Sequence, residues 1–145
     1  GYTVTEASFA LSLYLACGAL GGFLGGSLAD RIGGRRVILL SMTGSAPFLM
    51  LFFFASGWLA LAGLALGGLV LLFTIPVNVV MAQQLAPKQV GTVSALMMGF
   101  AWGMAGLIFI PLTGMLADWL NLHAVLSALA LFPLAGVLLT LKLPR

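Results

Sequence analysis

The chain has 145 residues, of which 62% are hydrophobic and only 6% charged, with a formal net charge of +3. A soluble domain carries about a quarter charged residues, so a fold of this size with so few has no means of covering its surface in water. The basic residues form no stripe with interleaved aromatics, which speaks against nucleic-acid binding.

A helix that crosses a bilayer needs about 20 mostly apolar residues. The N-terminal Gly1-Tyr2-Thr3-Val4 has no basic region before the first apolar run. It reads as an interior segment of a longer chain and not as a signal peptide. The first predicted span is 8–28. Its glycines at 18, 21, 22, 25 and 26 give three overlapping GxxxG pairs, the spacing that lets two helix backbones approach closely. The lone Cys17 in this run excludes an intrachain disulfide and reads as a small packing residue. A basic connection, Asp30-Arg31-Ile32-Gly33-Gly34-Arg35-Arg36, leads to the second span, 37–55.

Only Ser56-Gly57-Trp58 separates the second span from the third, 59–83. Leu85-Ala86-Pro87-Lys88-Gln89 then leads to the fourth, 90–116, which carries a further GxxxG pair at Gly99 and Gly103. Trp119-Leu120-Asn121-Leu122-His123 leads to the fifth, 124–143. Internal prolines at 47, 76, 111 and 133 predict kinks in four spans, which a membrane bundle tolerates when neighbours satisfy the freed carbonyls. The predicted fold is all-α: a polytopic bundle of five transmembrane helices in a single transmembrane domain.

Arg31, Arg35, Arg36, Lys88, Lys142 and Arg145 all fall in alternate connections or the tail. Basic segments stay cytoplasmic, which predicts an N-terminus outside and a C-terminus inside, in a cell membrane. Trp58 and Trp119 fall on the outer side, where indole rings favour the headgroup layer.

The chain repeats itself. Gly26-Ser27-Leu28-Ala29-Asp30 ends the first span and Gly114-Met115-Leu116-Ala117-Asp118 ends the fourth, 88 positions on, while Pro47 and Pro133 stand 86 apart. Spans one and two thus echo four and five with opposite orientation, the inverted repeat of many secondary transporters. With units of three helices, the third span opens the second unit and its counterpart is missing. The expectation is a six-helix half lacking one helix.

Gly26-Ser27-Leu28-Ala29-Asp30-Arg31-Ile32-Gly33-Gly34-Arg35-Arg36 resembles the signature loop of the major facilitator superfamily, G-x-L-A-D-R-x-G-R-R. The departure is Gly34, where the family pattern has a basic residue. In that family the loop joins helices two and three, with a copy joining helices eight and nine. The second placement fits the four spans that follow, so the chain resembles helices eight to twelve of a twelve-helix transporter. Residues 90–103 further resemble the fosmidomycin-resistance branch of drug exporters. The resemblance implies secondary transport by alternating access, a missing N-terminal half as partner, and a conformational role for Gly26, Asp30, Arg31, Gly33, Arg35 and Arg36.

Asp30 can meet the N-terminus of a helix in the other half, where the dipole favours a negative charge. The arginines can pair with carboxylates or lipid phosphates. No charged residue lies mid-span, so this segment offers no proton-coupling group. Tyr14, Thr74, Asn78, Met98 and Trp102 are the candidate cavity-lining residues: an amide beside a proline kink, with soft apolar and aromatic partners for a small, partly apolar compound. His123 reads as an interfacial residue. Sequence motifs for catalysis, metal binding and cofactors are absent, so no enzyme reading holds. The alternative function is a non-transporting membrane interaction or scaffold protein, including a truncated relic.

Overall fold

The computed structural model describes residues 3–141; Lys142 and Arg145, counted above among the cytoplasmic basic residues, lie outside them. Five segments are long and apolar enough to cross a membrane: Val4–Ile32, Gly34–Phe54, Trp58–Leu85, Pro87–Trp119 and Leu122–Thr140. Among the described residues there is no strand. Their surfaces are studded with exposed large side chains such as Phe23, Leu107, Ile110 and Leu139. That is a liability in water and the ordinary condition of a helix whose solvent is lipid.

Helix α1 (Val4–Ile32) begins four residues before the predicted span because Thr3 and Glu6 form a reciprocal cap. The Thr3 N–H donates to Glu6 Oε2 at 2.7 Å, and the Glu6 N–H donates to Thr3 Oγ1 at 3.3 Å. Two of the donors left over at a helix start are thereby satisfied. At the other end α1 passes into α2 (Gly34–Phe54) through one residue, Gly33, at φ 90°. The seven-residue basic connection read from the sequence is therefore mostly helical. Asp30 and Arg31 close α1, and Arg35 and Arg36 open α2. Gly33 can do this alone because it lacks the Cβ that would oppose a positive φ.

The second connection places Trp58 as the first residue of α3 (Trp58–Leu71). The third span is then interrupted. Leu72 and Phe73 leave the helix before α4 (Thr74–Leu85) resumes it, three residues ahead of Pro76, which has no N–H to offer Leu72. The Ile75 N–H takes that carbonyl instead at 3.3 Å. A 3₁₀ turn, Pro87–Gln89, leads into α5 (Val90–Ala95), a π-helical segment Leu96–Phe100 and α6 (Ala101–Trp119). The fifth span is divided as well, into α7 (Leu122–Leu129) and α8 (Phe132–Thr140), with Pro133 in the first turn of α8. Pro47 and Pro111, by contrast, sit inside unbroken helices. The prolines of the third and fifth spans thus coincide with interruptions of the helix.

Packing centres on α3, held between α1 and α2, while α8 covers another face of α2. The glycines of α1 divide by face. Gly21 abuts the Leu69 carbonyl so closely that a Cβ there would collide with it. A Cβ on Gly25 would lie 2.6 Å from the Phe73 backbone, whereas one on Gly22 or Gly26 would meet nothing within 4 Å. Of the three predicted GxxxG pairs only 21/25 lies wholly at a contact. Gly99 and Gly103 likewise face open space, and the fourth span carries no buried residue. Gly34 has a packing reason for departing from the signature pattern. A Cβ there would come within 2.7 Å of Met81 Sδ and 3.0 Å of Val77 Cγ1, so a larger residue would have to displace the flexible end of Met81 and crowd Val77. Val77 belongs to the small core formed with Val37 and Ile38 where spans one, two and three converge.

The repeat extends to backbone and contacts. Asn121, 88 positions after Gly33, is the only non-glycine with positive φ among the described residues, and its φ, ψ of 139°, 150° resemble the 90°, 143° of Gly33. Arg35 Nη2 donates to the Leu141 carbonyl at 2.8 Å, and His123 Nε2 lies 3.1 Å from the Phe53 carbonyl. His123 follows Arg35 by 88 positions, and Leu141 follows Phe53 by the same interval. Exchanging the two halves of the repeat maps one contact onto the other.

Candidate functional site

The interruption in the third span and the π-segment in the fourth face each other. Extra backbone at Leu96–Phe100 re-aims the side chains that follow it, as such bulges do at functional sites. Across the gap, α4 presents its first turn and a half. Between them lies a cavity of about 440 Å³, lined by Thr74, Ile75 and Asn78 from α4 and by Met97, Met98 and Trp102 from the fourth span. Four of the five candidate cavity residues, Thr74, Asn78, Met98 and Trp102, are thus brought together. Tyr14 is not: its ring lies over Gly68, where a Cβ would approach Tyr14 Cδ2 to 2.6 Å.

The α4 wall is held by hydroxyls. Thr74 Oγ1 donates to the Leu71 carbonyl at 2.9 Å. Ser41 of α2, fully buried, donates to the Val70 and Leu71 carbonyls at 2.6 and 3.0 Å. These carbonyls belong to the last turn of α3, which lacks a full set of helical donors. Ser41 was not singled out in the sequence; a serine in an apolar run carries no local sign that it serves a distant helix. The π-segment had no sequence signal either.

A larger cavity of about 930 Å³ adjoins the first, with Asn78 and Met97 lining both. Its other walls include Gly33, Gly34, Arg35, Arg36 and Gln84. The signature segment therefore divides. Gly33, Arg35 and Arg36 line this cavity. Asp30 and Arg31 are exposed in the last turn of α1, and half-buried Gly26 meets no neighbour. Arg31 suits that position, since a cation complements the negative end of a helix dipole; Asp30 opposes it. Beside the cavities, Gln83 Nε2 donates to Ser94 Oγ at 2.7 Å, joining spans three and four across the Pro87 turn. Among the described residues no group of three or more His, Cys, Asp or Glu could hold a metal ion.

An apolar bundle of this kind, with five spans long enough to cross a bilayer and cavities opening between an interrupted helix and a π-bulged one, defines a polytopic membrane protein. Over residues 1–145 the sequence matches the profile of the Major Facilitator Superfamily, and the chain belongs to that family. It is 43% identical over 136 residues to an uncharacterized MFS-type transporter, YfnC, of Bacillus subtilis, covering 94% of this chain and 33% of that protein. It is 36% identical over 145 residues to the fosmidomycin resistance protein of Escherichia coli, covering 99% of this chain and 35% of that protein. The chain thus spans about a third of the length of these relatives. No solved structure matches it.

Proposed function

We propose that this chain is part of the second half of a secondary transporter, corresponding to helices eight to twelve. It works with an N-terminal half to export a small, partly apolar compound by alternating access. The observation that carries this reading is the meeting of Thr74, Asn78, Met98 and Trp102 around one cavity. An amide, a hydroxyl and an indole among methionines make a mostly apolar lining with few polar anchors, the usual make-up of a small-molecule site. The likeness to a protein named for drug resistance supports export. The exposed Asp30, placed against its own helix dipole, supports a role in which its partner is a helix of the other half. The bundle sits in the cell membrane with the Arg35/Arg36 end cytoplasmic and the Trp58/Trp119 end outside, as the basic residues favour.

The test is export from cells expressing the chain together with the helices that its relatives carry beyond the matched third. Asn78→Leu and Trp102→Ala are expected to lower efflux or change its selectivity without reducing membrane insertion. Unchanged efflux and selectivity in both variants would refute the cavity assignment. The matched segment expressed alone is expected to insert and to export nothing.

A further inference from the structure

We propose that the two adjoining cavities form one bipartite site for a small amphiphilic anion, with its acidic group at Arg36 and Arg35 and its apolar part against Trp102 and Met98. This rests on the reading of the Trp102 cavity as a substrate site and specifies the class of ligand. Among the described residues the larger chamber is lined by two guanidinium side chains and by no carboxylate. One of these, Arg35, is half satisfied. Its Nη2 donates to Leu141, but its Nε is buried and has no partner among the described residues. The first turn of α2, which carries both arginines, has no side-chain cap, so its free N–H groups add to the positive potential. A guanidinium favours an anionic acceptor that offers paired oxygens.

The smaller chamber has the opposite character. Ile75, Met97, Met98 and Trp102 supply its surface, and the Thr74 hydroxyl is already donated to Leu71. Beside the Trp102 indole N–H, the Asn78 amide is the polar group there, and with Met97 it borders both chambers. A ligand spanning them meets charge at one end, an amide at the junction and apolar surface at the other end. Such a molecule is either a dissolved amphiphile or a membrane lipid with an anionic headgroup.

The test uses the intact protein in nanodiscs of zwitterionic lipid and measures binding calorimetrically with three probes: hexyl phosphate, methyl phosphate and hexanol. Hexyl phosphate is expected to bind at least about tenfold tighter than either half-probe, the scale of one charge-assisted hydrogen bond or a few buried methylenes. Arg36→Gln, an exposed position outside the Leu141 contact, should weaken both phosphates about tenfold and leave hexanol unchanged. Trp102→Ala should weaken hexyl phosphate and hexanol and leave methyl phosphate unchanged.

Hexanol binding that depends on Trp102 and equals hexyl phosphate in strength would overturn the anionic end while keeping the cavity as a substrate site. Indifference of both alkyl probes to Trp102→Ala would overturn the cavity reading itself. Replacing half the lipid by phosphatidylglycerol separates the two sources. Undiminished hexyl phosphate affinity supports a dissolved ligand, and competition abolished by Arg36→Gln assigns the site to a lipid headgroup.

Discussion

The His123 imidazole lies 3.1 Å from the Phe53 carbonyl oxygen, through Nε2, and so ties the start of the fifth span to the end of the second. The Arg35 guanidinium does the converse, reaching from the start of the second span to the Leu141 carbonyl at the end of the fifth. Each carbonyl belongs to a helix terminus whose acceptors lack intrahelical donors, and each is met by a side chain that complements the negative end of the helix. The T-shaped packing of His123 on Phe53, with ring centroids 5.8 Å apart, adds to one clasp. Spans two and five are thus fastened at both ends by contacts that the repeat interconverts.

His123→Ala and Arg35→Ala are each expected to lower the stability of the bundle by about 1 kcal/mol, the usual net value of one such hydrogen bond. The two contacts lie a span's length apart, roughly 30 Å. Their effects should therefore add in the double variant to within about 0.5 kcal/mol. Thermal unfolding in detergent, followed by reaction of Cys17 with a fluorogenic maleimide, measures all three. A coupling well beyond that margin would show that the clasps are not independent.

Neighbouring glycines of α1 should behave differently. Gly21→Ala drives a methyl group into the Leu69 backbone, and a backbone obstacle yields less readily than a side chain. A loss of about 1–3 kcal/mol is expected from such overpacking. Gly22→Ala meets open space and should be neutral or slightly stabilising, since alanine is the better helix former by roughly 1 kcal/mol. Equal effects of the two substitutions would contradict the packing of α1 on α3. The same thermal assay reads both.

The helix count and the approximate limits of the spans were legible in the sequence because lipid imposes length and composition on every span. Asn78 and Trp102 could be singled out because an amide beside a proline and an indole mid-span are rare there. Which glycines touch a neighbour was not legible. GxxxG spacing marks a face, and both the Gly21/Gly25 face and the Gly22/Gly26 face satisfy it. The charge of 30–36 suggests a longer first connection than the chain has, since Arg35 and Arg36 are helical and only Gly33 turns the chain. The cap at Thr3 was visible as Thr-x-x-Glu, but the apolar run drew the boundary further in. A tyrosine within a span suggests a lining residue, but the Tyr14 ring packs over Gly68.

The proposed orientation predicts a labelling pattern. Gly57 turns the second connection at φ 61°, outside any helix, and Gln89 closes the 3₁₀ turn after Pro87. Both are exposed. In a Cys17→Ala background and in intact cells, Gly57→Cys is expected to react with a membrane-impermeant thiol reagent and Gln89→Cys only after permeabilisation. The reverse pattern would invert the bundle in the membrane.

Ser41 should matter out of proportion to its size. The interruption of the third span leaves the Leu71 carbonyl with two hydroxyl donors, Ser41 at 3.0 Å and Thr74 at 2.9 Å. Ser41 also donates to Val70 at 2.6 Å. Ser41→Ala is expected to cost about 1 kcal/mol, and Thr74→Ala less, because Ser41 still covers Leu71. Removing both strips Leu71 of side-chain donors in a part-buried site, where an unsatisfied carbonyl costs about 1–3 kcal/mol. The double variant should therefore lose more than the sum of the singles, by about 0.5–2 kcal/mol for groups sharing one acceptor. Hydrogen exchange at Phe73 and Thr74 should accelerate in the same order. Strict additivity, with no change in exchange at these amides, would mean that the interruption is held by packing on Gly25 alone. The substitution also bears on transport, since Thr74 opens the cavity wall that carries Asn78. A loosened interruption is expected to lower efflux in Ser41→Ala even though Ser41 itself does not line the cavity.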